Sequence, residues 1–456
     1  MNKCLIVSYH FAPGAQVGAI RPTKFARYLP GHGWEAHVLT VAEKYHALKT
    51  DWQREDLPRD DHLHRTRMWV HPNEIYLGLK RLFVRGAREG ADRPAPAAPT
   101  GPQVWIPRHT PIRNFVNSLL LLPDDKLPWL PVGLSRALSL VRRHRMDAVL
   151  TTGPPHSTHL IGLALKRLLG VAWLADLRDP WVSNVTKSLN PRTRLSVAMD
   201  RRMERAVIHR ADRVIVTNDF VREEFLNTYP TLPPDRIVVI PNGFDKLDFT
   251  ETGVGECPKE FTLVHTGNLY NRRSPRTFLQ ALSQLIQSGR IPASRLRAQF
   301  VGRMVGEARP ERAIRELGLE EIVCVSDPVP HLEAIAIARR ADLLLIFAQG
   351  EPNQIPAKAF EYIATGNPIL VIPEGGAAAE FVRARHLGWA AADQPEPIAE
   401  AIAECYGRFE HEGRDVECES PWLDPSVRRF DREALAGNLA ELLDEAIATS
   451  NGRNPG

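Results

Sequence analysis

The chain has 456 residues, 43% of them hydrophobic and 25% charged, which suits two core-bearing domains and excludes a single small module or wholesale disorder. Lys and Arg number 58 against 54 Asp and Glu, a net charge of +4, too mild at this length for nucleic-acid binding to be the main task. The five cysteines are far apart and show no C-x-x-C spacing, so they suggest neither a disulfide framework nor a zinc knuckle and fit a reducing compartment.

The first apolar run, Cys4 to Ser8, is too short for a signal-peptide core. No segment reaches about 18 uninterrupted apolar residues; even Leu160 to Ala175 is broken by Lys166 and Arg167. The expectation is a cytoplasmic protein, with peripheral attachment to the inner face of the cell membrane left open. Short runs rich in Val, Ile and Leu then alternate with helical spacing, the pattern of parallel sheets with crossover helices. Strands are expected at Cys4 to Ser8, Glu35 to Thr40, Ala148 to Thr152, Ala172 to Leu177 and Arg213 to Thr217. They recur at Phe261 to Thr266, Ala298 to Gly302, Ile322 to Val325, Leu343 to Phe347 and Pro368 to Ile372. Several are apolar on both faces, as a doubly covered sheet requires, so the fold class is α/β with two doubly wound domains. We place the amino-terminal domain at 1–245, the second domain at 246–430 and a terminal helix with a tail at 431–456. The strand Ile237 to Ile240, stopped by Pro241-Asn242-Gly243, leads into the linker.

One stretch breaks the rhythm. Lys80 to Arg113 carries seven Lys/Arg against two acids, and Arg93 to Pro111 holds six prolines. Proline removes a backbone donor and clashes with the preceding turn, so the stretch is not helical throughout. It reads as an insertion, at about 80–125, in the amino-terminal domain. Two readings stay open: basic and apolar residues resting on an anionic membrane surface, or a Pro-rich loop with its own small apolar cluster.

Five segments offer chemistry. Pro13 to Arg21 is a glycine-bearing turn entering a helix, where free amides favour an anion or an oxygen-rich ligand. Thr151 to His159 follows a strand and opens a helix, placing Gly153 and His156 at the carboxyl edge of the sheet, where ligands bind in open parallel sheets. His156 and His159 are one turn apart, yet no carboxylate or third histidine stands at ligand spacing, so a polar lining is expected there and no metal. Asp176-Leu177-Arg178-Asp179-Pro180-Trp181 brings two carboxylates, a guanidinium and an indole to a strand end; they meet a ligand or pair internally. Val264 to Pro275 is strand, glycine turn and helix start, with Arg272 and Arg273 adding positive charge to free amides, as a diphosphate needs. Gln354 to Leu370 reads as a helix with Pro356 at its first turn and Gly366 at its end, followed by a buried strand. Lys358 and Glu361 share one helix face, either as a surface pair or with the carboxylate accepting both hydroxyls of a ribose.

On these residues the chain resembles the family 4 type glycosyltransferases, which have two Rossmann-like domains facing a cleft, the GT-B architecture. The resemblance spans nearly the whole chain. It is carried by Tyr9-His10-Phe11-Ala12-Pro13 with Gly18 and Arg21, Thr152-Gly153-Pro154-Pro155-His156-Ser157, Asp176 to Trp181, Ile240 to Asp245, Gly267-Asn268-Leu269-Tyr270, and Ile355 to Leu370. It implies a nucleotide-sugar donor held mainly by the second domain and an acceptor entering from the first. Glu361 would hold the ribose hydroxyls, and Arg272 or Arg273 would neutralise the diphosphate. Gly18, Gly267, Asn268, Gln354, Ile355 and Lys358 would belong to the donor site, with Val329, in the loop Asp327 to Pro330, near the base. Arg178 and Asp179 would face the reacting sugar, and Arg21 and His156 would lie on the acceptor side. Two positions depart from the family pattern: Asn353 stands where a second glutamate is common, with Glu351 out of register, and Asn268 replaces the usual arginine of the glycine turn.

The implied reaction moves a hexosyl unit from a nucleoside diphosphate sugar to a hydroxyl acceptor with retention of configuration, in cell-envelope or exopolysaccharide glycan synthesis. The co-substrate is the nucleotide sugar, and no metal or other cofactor is expected. The partners are a glycan or lipid-linked acceptor and an anionic membrane surface, and no nucleic acid. A nucleotide-sugar epimerase and a non-catalytic nucleotide-sugar-binding protein are the rival readings.

Overall fold

The computed structural model describes residues 1–46, 54–69, 118, 122–184, 187, 192–250, 252, 258–270, 272–306, 309–413 and 421–452. The basic, proline-rich stretch at Lys80 to Arg113 lies outside the described residues. The chain divides into two compact units, one formed by 1–240 with 436–456 and the other by 241–435.

The first unit holds a parallel seven-stranded sheet of order β3-β2-β1-β4-β5-β6-β7. Its strands are β1 (Asn2–Ser8), β2 (Trp34–Val41), β3 (Leu63–Thr66), β4 (Ala148–Gly153), β5 (Ala172–Leu177), β6 (Arg213–Val216) and β7 (Ile237–Val239). Cys4 to Val7 of β1 and Ala172 to Ala175 of β5 are buried throughout, which is why both read as unbroken apolar runs. The crossover helices are α1 (Val17–Tyr28), α2 (Leu130–His144), α3 (Ser157–Leu169), α4 (Arg194–Arg210) and α5 (Asp219–Thr228). Helix α3 ends on Gly170 in the left-handed conformation at φ 68°, a position glycine fills without strain.

Helix α3 also shows how tightly this unit is packed. A Cβ built on Gly162 would lie 2.2 Å from Nε1 of Trp173. That indole is fully buried and donates to Thr151 Oγ1 at 2.9 Å, so it cannot yield. Gly162→Val is therefore expected to destabilise the unit by at least the ~1–3 kcal/mol typical of overpacking. A urea midpoint equal to that of the unsubstituted protein would refute this.

The second unit holds a parallel six-stranded sheet of order β10-β9-β8-β11-β12-β13. These are β8 (Phe261–Thr266), β9 (Leu296–Val301), β10 (Val323–Ser326), β11 (Leu343–Phe347), β12 (Ile369–Ile372) and β13 (Gly388–Ala390). Along β11, Leu343, Leu345 and Phe347 enter one apolar cluster while Leu344 and Ile346 enter another. Alternate residues of a strand point to opposite faces, so both faces of this sheet are covered. Helices α6 (Arg276–Gln287), α7 (His331–Arg339) and α8 (Ala357–Thr365) supply much of that cover. The last helix, α9 (Arg432–Gly452), starts in this unit and continues into the first. Among the described residues, no helix is long and apolar enough to cross a membrane.

In each sheet the strand order reverses direction once, between β1 and β4 and between β8 and β11. Loops leaving the carboxyl ends of those strands diverge to opposite faces and open a crevice, the usual ligand position in open α/β sheets.

Candidate active site

In the second unit, the loops after β8 and β11 flank that switch point. β8 runs directly into Gly267, which sits at φ +102°. The turn is fastened by Gly267 N–H donating to Val301 O at 2.7 Å and Leu269 N–H donating to Arg303 O at 3.0 Å. Asn268 accepts from the Arg303 amide through Oδ1 at 2.9 Å, so this side chain closes the turn where the family pattern has an arginine.

Lys358 lies in the first turn of α8. Its Nζ would be 3.0 Å from a Cβ on Gly267, so a side chain in this turn would crowd the amine. Nζ also lies 3.0 Å from Nε2 of His265. The other ring nitrogen, Nδ1, lies 2.9 Å from the carbonyl of Leu345 and donates to it, leaving Nε2 as acceptor. Burial, reinforced by the charge of Lys358, keeps His265 neutral and well below its ordinary pKa. Burial also pulls the Lys358 amine down to about 7, with Arg273 pushing the same way and Glu361 opposing.

Arg273 and Glu351 form a buried ion pair, and the guanidinium lies over the Tyr270 ring, 5.3 Å from its centroid. Glu351, out of register with the family's second glutamate, is thus the counter-ion of Arg273. Arg272 is exposed, its stem against Gly350. The two arginines are therefore unlike: removing Arg273 strands a buried carboxylate, whereas removing Arg272 does not.

Helix α8 begins after Pro356 with no side-chain cap and no acid in its first turn. Its free amides and dipole favour an anion. Glu361, one turn further, is part-buried and borders a small crevice with Phe249, Thr266, Ile335, Ala338, Tyr362 and Thr365. Tyr362 Oη takes the Thr266 amide at 2.9 Å, locking α8 to the end of β8. Ile355 and Val329 pack on the apolar cluster beneath, and Gln354 is part-buried at the start of the same segment. Gly267, Asn268 and Arg273 thus lie on the segment after β8, and Gln354, Ile355, Lys358 and Glu361 on the loop and helix after β11. The sequence reading did not single out His265, whose signal was a lone imidazole in an apolar strand directly before the glycine turn.

In the first unit the charged strand end takes a different form from the expected one. Asp176 pairs with Arg21, through Nε to Oδ2 at 3.1 Å and Nη2 to Oδ1 at 3.0 Å. Thr152 Oγ1 adds a bond to Oδ2 at 2.7 Å, and Arg21 also donates to Ile240 O at 2.9 Å. Asp176 is fully buried and Arg21 is 3% exposed. Arg21, expected on the acceptor side, is therefore a buried tie between α1 and β5, because its guanidinium is enclosed by the carboxylate it neutralises.

Arg178, expected to face the reacting sugar, turns back on the loops. It donates to Gly153 O at 3.0 Å, Gly18 O at 2.6 Å and Pro154 O at 2.7 Å. A Cβ on Gly18 would lie 3.0 Å from its Nη1. Gly18 thus makes room for Arg178, which joins the glycine turns after β1 and β4. Asp179, beside it, is part-buried. His156 is 2% exposed and stacked on Trp181, with ring centroids 4.9 Å apart. It is held well below its ordinary pKa by burial, and lies behind the indole rather than lining an open surface. The amide and hydroxyl of Ser157 at the start of α3 both donate to Asp124, each at 2.8 Å, a cap that the sequence spacing did not disclose.

Comparison with known proteins agrees with this architecture. The family model for Glycosyltransferase Family 4 matches residues 96–246, and that for Glycosyl transferases group 1 matches 260–408. A D-inositol 3-phosphate glycosyltransferase from Kineococcus radiotolerans is 26% identical over 186 residues, covering 38% of this chain and 42% of the relative. The chain thus matches less than half the length of that curated relative. Sucrose-phosphate synthase from Thermosynechococcus elongatus superposes with a TM-score of 0.58 at 17% identity, covering 98% of this chain and 100% of that one. Anabaena Alr3699/HepE in complex with UDP-glucose gives 0.57 at 16% identity, with the same coverage. Both solved structures share the two-sheet fold. By its two consecutive family domains, its strand orders and the placement of its glycine turns, the chain belongs to the family 4 type glycosyltransferases of GT-B fold.

Proposed function

We propose that the protein transfers a hexosyl unit from a nucleoside diphosphate sugar to a hydroxyl group of a glycan or lipid-linked acceptor, with retention of anomeric configuration, in cell-envelope or exopolysaccharide synthesis. The observation that carries this reading is the cationic turn of the second unit. There Lys358 and the uncapped amides of α8 lie beside Gly267, with Arg273 and its counter-ion Glu351 near the same amine, and a glycine in that turn keeps the backbone and the amine uncrowded. Charge developing on a departing diphosphate is what such a group of donors stabilises. Glu361, one turn along α8, suits the ribose hydroxyls as a two-oxygen acceptor. The UDP-glucose bound by HepE, a protein of the same fold, supports a nucleotide sugar as ligand.

The test uses the full chain with a panel of nucleoside diphosphate sugars. A donor that binds the native state should raise the melting temperature, equivalent to about 2.7 kcal/mol at a hundredfold excess over Kd. Free nucleoside diphosphate should then accumulate with an acceptor present, and the product should keep the donor's anomeric configuration. Epimerised sugar appearing without acceptor would assign an epimerase instead. Binding without turnover across lipid-linked and glycan acceptors would assign a non-catalytic sensor.

A further inference from the structure

The first sheet carries a second cluster of chemistry on its far edge. β2 and β3 run parallel, with Leu39 opposite His64 and Val38 opposite Leu63. Side chains alternate along a strand, so Glu35, His37 and Leu39 share one face, and the register puts His62 and His64 on that same face. The sequence thus reads Glu-x-His on β2 and His-x-His from the turn before β3 into that strand. Leu39 is sealed in the core, whereas Glu35 and His62 reach the surface. The cluster sits at the amino-terminal ends of these strands, away from the carboxyl end of β4 at Gly153 and from the start of α1 at Gly18.

Glu35 Oε1 lies 2.7 Å from His37 Nε2 and 3.7 Å from His62 Nε2. One ligand atom from each of the three residues falls within 4.8 Å of the others. The rings of His37 and His62 have centroids 4.2 Å apart, and His144 closes over His37 at 5.0 Å. His37 Nδ1 lies 3.4 Å from His64 Nε2. At the rim, Asp61 Oδ1 is 3.9 Å from His62 Nε2, and Lys3 Nζ is 3.4 Å from Glu35 Oε1. Lys3 is about one-third exposed, so its stem can swing into water.

We propose that Glu35, His37 and His62 form a site for one divalent first-row transition cation of the Zn2+ class. Two imidazoles and a carboxylate are the donor set such a cation takes, at about 2.0–2.2 Å, and small rotations bring atoms this close to a shared centre. When Nε2 of His37 binds the cation, the ring proton sits on Nδ1 and points at His64 Nε2. His64 is then the outer partner that fixes the ring, as metal-bound histidines require. Asp61 or a water completes four-coordination. The cation would pin the four-residue edge strand β3 to β2 on a part of the sheet that the proposed transfer does not use.

The experiment is calorimetric titration of ZnCl2, and separately NiCl2, into the chelator-stripped full chain. One cation per chain is expected, with a rise in melting temperature. His62→Ala and Glu35→Gln, both at the surface, should each weaken binding by about a hundredfold or more, and His64→Ala by about 10–100-fold. Co2+ should give tetrahedral absorption bands with the unsubstituted chain and lose them in His62→Ala. An unchanged donor-induced thermal shift shows that each variant is folded. Binding at other than one equivalent, or binding indifferent to His62→Ala and Glu35→Gln, overturns the assignment.

Discussion

Replacing Lys358 by methionine should lower kcat/KM for sugar transfer by about a hundredfold to a thousandfold, the usual loss when one preorganised donor to a developing anion is removed. The size follows from where the amine sits. It is wedged between Gly267 and His265, in the first turn of a helix whose uncapped amides also favour an anion. Because the free amine titrates at about 7, only part of the population carries the charge at neutral pH. The charged form predominates below that value and is lost as pH rises through it. A diphosphate favours the ammonium, so donor binding must take up a proton. Donor affinity should be greatest on the acid side and fall by up to about tenfold per pH unit above 7, the proton-linkage limit, until the pKa of the bound state is reached. Calorimetry in buffers of different ionisation enthalpy reads the uptake directly, approaching one proton near pH 8. In Lys358→Met the uptake should vanish. A donor affinity independent of pH from about 6 to 9 in the unsubstituted protein would remove Lys358 from the phosphate site.

The second-unit site was largely legible in the sequence because its parts are local. A strand, a glycine turn and a helix with proline before it are encoded over a few residues each, and β8, β11 and α8 fall where the periodicity puts them. β3 and β13 were missed for a physical reason. Leu63-His64-Arg65-Thr66 is an edge strand of part-buried residues, and Gly388-Trp389-Ala390 is another, so neither needs an apolar run. The pairings were less legible than the elements. Asp176, Arg178 and Asp179 are crowded into four residues and suggest internal pairing, yet Asp176 finds its partner at Arg21, 155 residues away. Arg178 spends its donors on three carbonyls. Glu351, off by two positions from a family glutamate, makes sense only beside Arg273. The histidine cluster needs the register of β2 against β3, which no single segment specifies.

That long-range pair is also the most sensitive point of the first unit. Asp176→Ala should cost about 3–5 kcal/mol, because it leaves the guanidinium of Arg21 buried without its counter-charge. Thr152 loses its acceptor as well, while the bond from Arg21 to Ile240 O carries no compensating charge. Arg21→Met combined with Asp176→Leu should recover most of the loss, since apolar groups of similar volume replace a buried pair at little or no cost. The readout is hydrogen exchange of the β4 and β5 amides, which reports this unit separately from the other. Equal protection in the single and double substitutions would show that the pair is not what holds the strands. The same double variant separates a brace from an acceptor contact. If Arg21 acts only through Asp176, the acceptor KM of the double variant should match that of the unsubstituted protein. A KM raised tenfold or more in a variant with recovered protection would put the guanidinium back in contact with the acceptor.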